Sequence, residues 1–391
     1  MVCPFGYNLA LLWLKLELMQ TIGSAERPLV IGTRASALAL TQTRTVASDL
    51  EQRGLHVQVQ TFTTEGDINR ASLASLGGVG VFAAALRVAL LEGRCDLVVH
   101  SLKDLPTVPV DGLVVAATPT REDPGDVLVA RDSLGLADLP AGSRLGTGSP
   151  RRARQIAAAR PDITLVDIRG NVPTRVGRVK GLATVAERAG LQPGKAAEDL
   201  DGVVLARAGL RRLGMDEAIT DSLEGTVIPA GGQGALALET RPELLDSEEG
   251  RNFAQILKFV DDEPTHLEVS AERALLRYLE AGCAAPLGVR GVVTWDKRVE
   301  APSGRLELTA RVIGNQGEVL EVNGETTVLL GAEAAQRDFA LAAAQQLGVD
   351  LAGELLAAGA ATIADLKATK SEPTQSGANQ TVDNEKELWG E

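Results

Sequence analysis

From Leu29 onward, short apolar runs alternate with stretches of helical period. Leu29-Val-Ile-Gly-Thr33 reads as a strand, Ala37 to Arg53 as a helix and Val57 to Thr64 as a second strand, the order of a βαβ unit with a parallel sheet. A second unit follows, in which Gly77-Gly-Val-Gly80 opens a helix through Phe82 to Glu92 and Asp96-Leu-Val-Val-His100 is a buried strand. Leu86, Ala89 and Leu90 carry the helical spacing. Further strands are predicted at Leu113 to Ala117 and Val127 to Ala130. The rhythm restarts with strand Ser143 to Gly146, helix Pro150 to Ala159, strand Ile163 to Ile168, helix Val172 to Gly190 and strand Gly202 to Ala206. The expected class is α/β, with two lobes.

After Pro229-Ala-Gly-Gly-Gln-Gly-Ala235 the pattern changes. A helix over Glu263 to Ala281, three alternating strands (Leu287 to Trp295, Arg305 to Ile313, Val319 to Leu329) and an Ala-rich helix from Gly331 to Leu366 predict a small α+β domain with an antiparallel sheet. The expected division is an extension over 1–26, a first lobe over 27–119 and 223–241, a second over 120–222, a third domain over 242–366 and a disordered tail over 367–391. Leu9 to Leu14 is apolar but is followed closely by Lys15 and Glu17 and lacks a basic flank, so neither a signal peptide nor a membrane helix is expected.

The chain carries 391 residues, too many for one core, and a formal charge of -13, which disfavours nucleic acid and anionic membranes as partners. Aromatic residues make up only 3%, against recognition by stacked bases. The three cysteines, Cys3, Cys95 and Cys283, form neither a disulfide framework nor a metal-spaced cluster; no metal is expected, and the spacing fits the reducing cytoplasm.

Against this acidic background the strand-end loops are basic. Ligands in open α/β sheets bind outside the carboxyl ends of strands. Thr33-Arg34-Ala35-Ser36 follows the first strand, and Ser36 is suited to cap the next helix. Gly146-Thr147-Gly148-Ser149-Pro150-Arg151-Arg152 repeats the device with Ser149 as cap, and places Arg151 and Arg152 in a first helical turn that disfavours cations. Arg169-Gly170-Asn171-Val172-Pro173-Thr174-Arg175 follows another strand. Between Arg144 and Lys180 nine basic residues face two acidic ones, a net of +7, which points to a pocket for several carboxylates or phosphates as against a solvated basic face. His100-Ser101-Leu102-Lys103-Asp104-Leu105-Pro106 adds one carboxylate, Asp104, suited to stabilising a cation or taking its proton; His100 reads as a core or orienting residue. Cys283, in Glu280-Ala-Gly-Cys-Ala-Ala-Pro-Leu-Gly288, falls after a helix-ending glycine and is either packing or chemistry.

In order along the chain, HSLKDLP, REDPGD, GTGSPRR, RGNVPTR, AGLRRLG, PAGGQGA and EAGC resemble the porphobilinogen deaminase (hydroxymethylbilane synthase) family, from about Pro28 to about Leu366. The resemblance implies two lobes like those of periplasmic binding proteins and a third domain bearing a cysteine that holds a dipyrromethane cofactor through a thioether, here Cys283. It implies a monomeric transferase of tetrapyrrole biosynthesis that condenses four porphobilinogen molecules, releases ammonia each time and hydrolyses off linear hydroxymethylbilane. Motif by motif it implies Asp104 and Arg169 as catalytic, and Arg34, Ser36, Lys103, Asp104, Thr147, Ser149, Arg151, Arg152, Arg169 and Gly170 at the cofactor. Arg34, Arg169, Arg175, Arg212 and Gln233 would meet substrate. Asp104 would stabilise the azafulvenium left by loss of ammonia and the cation formed by attack of the next ring. Two departures stand out: Ser75 and Val79 occupy a Gly-rich loop where many members carry Lys, and residues 181–199 lengthen a connection expected at the surface.

Two other readings compete. A solute-binding protein would want an export signal and no Cys283, and a cysteine hydrolase would want a histidine near the thiol.

Overall fold

The computed structural model describes residues 21–62, 81–282, 285–295, 303–329, 334–364 and 366. Its first sheet takes β1 (Leu29–Arg34), β2 (Val57–Phe62) and β3 (Leu97–Ser101) in parallel, linked by helices α1 (Ala37–Gln52) and α2 (Val81–Leu91). Both faces are covered. Leu29, Ile31, Leu97 and Val99 pack with Val46 and Leu50 of α1, and Val98 packs with Leu86 and Leu90 of α2 on the other side. That two-sided burial explains the near-continuous apolar run of β3. β4 (Val114–Ala117) lies at the edge, and the chain then crosses to a second sheet.

The second sheet contains β5 (Asp126–Ala130), β6 (Arg144–Gly146), β7 (Thr164–Val166), β8 (Gly202–Ala206) and β9 (Asp221–Ser222), in the order β7-β6-β8-β5-β9. Helix α3 (Pro150–Ala159) matches its prediction to the residue, because Ser149 accepts from the Arg152 N–H and Pro150 fills a position that needs no donor. The helix expected over 172–190 is instead two, α4 (Val172–Val176) and α5 (Ala183–Arg188). Gly177 caps α4 and Gly181 has φ +80, a conformation that ends a helix. The stretch 181–199 is not wholly superficial, since Ala186 of α5 is fully buried.

After α6 (Arg207–Arg212) and β9 the chain returns to the first sheet through β10 (Leu236–Thr240), which pairs antiparallel with both β3 and β4. This central strand was absent from the sequence reading. Its five fully buried residues show no alternation, and its antiparallel direction makes the sheet mixed, in the order β2-β1-β3-β10-β4. The second sheet has the same plan, with β5 as its antiparallel member. Helices α7 (Pro242–Asp246) and α8 (Arg251–Val260) fall in the span expected to open the third domain, yet Phe253, Ile256 and Leu257 of α8 pack into the first sheet's core. Ile22 joins the same core although it falls within the expected extension.

The third unit is helix α9 (Glu263–Tyr278), the antiparallel strands β11 (Leu287–Trp295), β12 (Ser303–Ile313) and β13 (Val319–Leu329), and helices α10 (Ala334–Ala357) and α11 (Ala360–Ile363). The predicted single C-terminal helix is interrupted at Gly359, whose φ is +91. Leu275 of α9, Leu306 and Leu308 of β12 and Leu351 of α10 share one core.

Candidate active site

A narrow cleft opens between the two sheets. It is lined from the first lobe by Gln42, Ser101 and Lys103, from the second by Arg152, Arg175 and Arg212, and from the return crossing by Gly232, Gly234 and Ala235. Ser101 ends β3 and Ala206 ends β8, so the cleft sits at strand carboxyl ends. Gly232 and Gly234 have positive φ, and a Cβ at Gly234 would stand 2.2 Å from the Glu122 carbonyl oxygen, so only glycine lets the two crossings touch.

The arginine pair of α3, expected at an anion, has a carboxylate partner inside the protein. Arg151 donates to Asp126 Oδ2 at 2.6 Å and to the Ile228 carbonyl at 2.6 Å. Arg152 donates through Nε to Asp126 Oδ1 at 2.8 Å. The anion that compensates two cations in a first helical turn is therefore internal. Asp126 opens β5 inside the REDPGD motif, is 1% exposed, and was not singled out from sequence. Burial opposes its charge, but Arg151 and Arg152 overcome this and hold the carboxyl well below the usual carboxylate range. Gln233 completes the cluster, donating to the Pro124 carbonyl at 2.6 Å and to Asp126 Oδ1 at 2.9 Å while accepting from Lys103 Nζ and Arg152 Nη2 at 3.3 Å each. At 1% exposure it is a buried bridge between lobes as well as a cleft neighbour.

Among the described residues, the other cleft cations meet only neutral oxygens at hydrogen-bond distance. Lys103 reaches Gln233, Arg175 donates to the Gly170 carbonyl at 2.8 Å, and Arg212 donates to the Gly234 carbonyl at 2.6 Å. Burial pushes Lys103 down to about 8 despite Asp104. Burial and then the like charges of Arg152 and Arg169 push Arg175 down to about 10. Such positions disfavour the charged form unless a further anion arrives. Asp104 ends the 3-10 turn Leu102–Asp104, is exposed, and lies within electrostatic reach of both Lys103 and Arg175.

The remaining candidates divide. Ser36 caps α1 through the Ala39 N–H, Ser149 caps α3, and Thr147 accepts from the Ser149 N–H. Arg34 ends β1 and is half-buried. Arg169 is exposed and pairs with Asp167 at 3.3 Å, outside the cleft lining, while Gly170 (φ +106) turns its carbonyl to Arg175. Cys283, Ser75 and Val79 lie outside the described residues. Gln42, which donates to Ser101 Oγ at 3.0 Å in the cleft, was missed, as one polar residue in a helix gives no sequence signal. A larger cavity of about 630 Å³ lies where the crossings meet the third unit. Its cations are already paired, Arg121 and Arg290 with Glu268 and Arg207 with Asp123, so it offers no comparable charge.

A family model described as the dipyromethane cofactor binding domain of porphobilinogen deaminase matches residues 29–248, and one for the C-terminal domain of that enzyme matches residues 266–357. The chain belongs to the porphobilinogen deaminase family. Among relatives, porphobilinogen deaminase of Cutibacterium acnes is 51% identical over 342 residues, covering 87% of this chain and 98% of that one. Those of Micrococcus luteus and Leifsonia xyli are 49% and 46% identical, covering 85% and 88% of this chain and 93% and 98% of theirs. A periplasmic substrate-binding protein of a Coxiella burnetii ABC transporter is similar over 59% of this chain and 91% of its own, at 13% identity and a TM-score of 0.35. Porphobilinogen deaminases are transferases of tetrapyrrole biosynthesis that carry a dipyrromethane cofactor, and the cleft described above falls within the match to the cofactor-binding domain.

Proposed function

We propose that this chain performs the family's reaction, head-to-tail condensation of four porphobilinogen molecules on a dipyrromethane primer, with loss of ammonia at each step and final hydrolysis to linear hydroxymethylbilane. The observation that carries the reading is a cleft whose Lys103, Arg175 and Arg212 are held on amide and carbonyl oxygens beside the carboxylate of Asp104. Pyrrole rings bearing acetate and propionate groups fit this donor set, because each carboxylate supplies the charge that burial withholds.

Cys283 would hold the cofactor through a thioether, and the bound group would supply a nucleophilic pyrrole carbon. Lys103, Arg152, Arg175 and Arg212 hold carboxylates of cofactor and substrate from both lobes. Asp104 stabilises positive charge as ammonia leaves the substrate, and Arg169 acts from the rim. Ser36, Ser149 and Thr147 order the helix N-termini that face the anions. The cysteine pattern supports a cytoplasmic setting, and among the described residues no helix is long and apolar enough to cross a membrane.

The test compares wild type with Cys283→Ser after expression with porphobilinogen available. Wild type should exceed its polypeptide mass by one dipyrromethane and release ammonia from porphobilinogen, and the variant should do neither. A bare wild-type mass with no ammonia release would refute the reading.

A further inference from the structure

Beneath the turn that presents Lys103 and Asp104 lies a buried charged cluster that the reaction as described does not use. Arg87 of α2 grips Glu239 of β10 through Nε at 3.0 Å and Nη2 at 2.8 Å. His100 of β3 meets the other oxygen of that carboxylate at 3.0 Å. All three are at most 9% exposed. Beside them Arg273 of α9 reaches across from the third unit and donates Nη1 to the Leu105 carbonyl at 2.9 Å and Nη2 to the Pro106 carbonyl at 2.7 Å.

We propose that Arg273 is a positioning residue that sets the placement of Asp104 by clamping the two peptide carbonyls that follow it. A guanidinium fork fixes both carbonyls in one plane, which a single ammonium cannot do. The entry side of the turn is already tied, because the Leu102 N–H donates to the Ala235 carbonyl and the Leu105 N–H to the Leu102 carbonyl. Arg273 secures the exit side. Leu105 is held extended by the following proline, so motion of the Leu105 and Pro106 carbonyls passes directly to Asp104. Burial, and then the like charge of Arg87, push Arg273 down to about 10 against the pull of Glu239, and among the described residues no carboxylate accepts a hydrogen bond from it. The same helix leads toward Cys283 in sequence, so the clamp also ties the third unit to the catalytic turn.

The inference rests on the reading that Asp104 faces the reacting substrate. Arg273→Met and Arg273→Lys are assayed as holoenzyme, with turnover normalised to the cofactor-bearing fraction seen by intact mass. Arg273→Met should lose ~10- to 100-fold in kcat with KM within ~2-fold of wild type, as expected for a catalytic group displaced by about an ångström. Arg273→Lys should recover only part of that loss. In an Asp104→Asn background, measured by single turnover, Arg273→Met should cost little more, because the group it places is already gone. Normal kcat in the loaded variants, or losses that multiply in the double variant, would overturn the proposal. If Arg273→Met does not fold, Arg273→Lys decides by the same two readings. A wild type that releases no ammonia from porphobilinogen sinks the reaction and this inference together, whereas an active wild type with unaffected variants sinks this inference alone.

Discussion

Arg151 and Arg175 are both arginines in first turns or short helices of the second lobe, both are withdrawn from solvent, and they do opposite things. Arg151 meets Asp126 at 2.6 Å inside the protein, while among the described residues Arg175 hydrogen-bonds the Gly170 carbonyl and no carboxylate, with the like charges of Arg152 and Arg169 outweighing the more distant Asp167 and Asp104. Where the chain supplies its own anion, arginine fixes helix α3 to β5 and to the return crossing at Ile228. Where it supplies neutral oxygens, arginine is left able to bind a carboxylate from outside. Arg152 stands between the two cases, ion-paired to Asp126 yet lining the cleft, so one carboxylate shared by two guanidinium groups leaves a net positive charge at the cleft wall.

The largest expected effect tests the acid that faces these cations. Asp104→Ala should lower kcat by ~10³-fold, the scale of losing a preorganised electrostatic partner, with its melting temperature close to wild type because the residue is exposed. A melting point far below wild type, or full activity, would contradict it. Next comes the paired side of the comparison. Asp126→Asn should destabilise by about 3–5 kcal/mol, since it leaves Arg151 and Arg152 without a counter-charge. The pH dependence has a definite sign. The folded carboxyl is depressed, so its contribution is complete above the ordinary carboxylate pKa of about 4 and fades as the pH falls below it. Denaturant midpoints of wild type and Asp126→Asn should therefore differ fully at neutral pH and converge in acid; a constant gap would show that Asp126 titrates normally. The smallest effect separates the two arginines. Arg175→Met should weaken substrate binding by ~10- to 100-fold, the worth of one charge-assisted hydrogen bond, while its melting temperature holds or rises. Arg151→Met should show the reverse, losing stability more than KM. Equal loss of stability in both variants would erase the distinction.

Sequence patterning located most of the secondary structure because it depends on local rules. Alternation gave the three strands of the third unit, and the Ser149-Pro150 start gave α3 exactly as built. The failures came where local rules are silent. β10 is buried on both faces and so has no period, Gly177 and Gly181 were read through as helix, and α8 has an amphipathic face whose partner the sequence does not name. The residue types of the site were visible as a basic stretch around one aspartate, and the ordered motifs pointed to the family that the comparisons show.

What the chain determined by itself was chemistry: which donors and acceptors exist, and that a net of +7 between Arg144 and Lys180 sits within a protein of charge -13. Which of those charges neutralise one another was decided only in three dimensions. Asp126 lies 25 residues from Arg151, and Arg273 lies 168 from Leu105, so nothing in local spacing foretells either contact. Pairing is a property of distance and burial, and both arise when the two sheets and the third unit pack together.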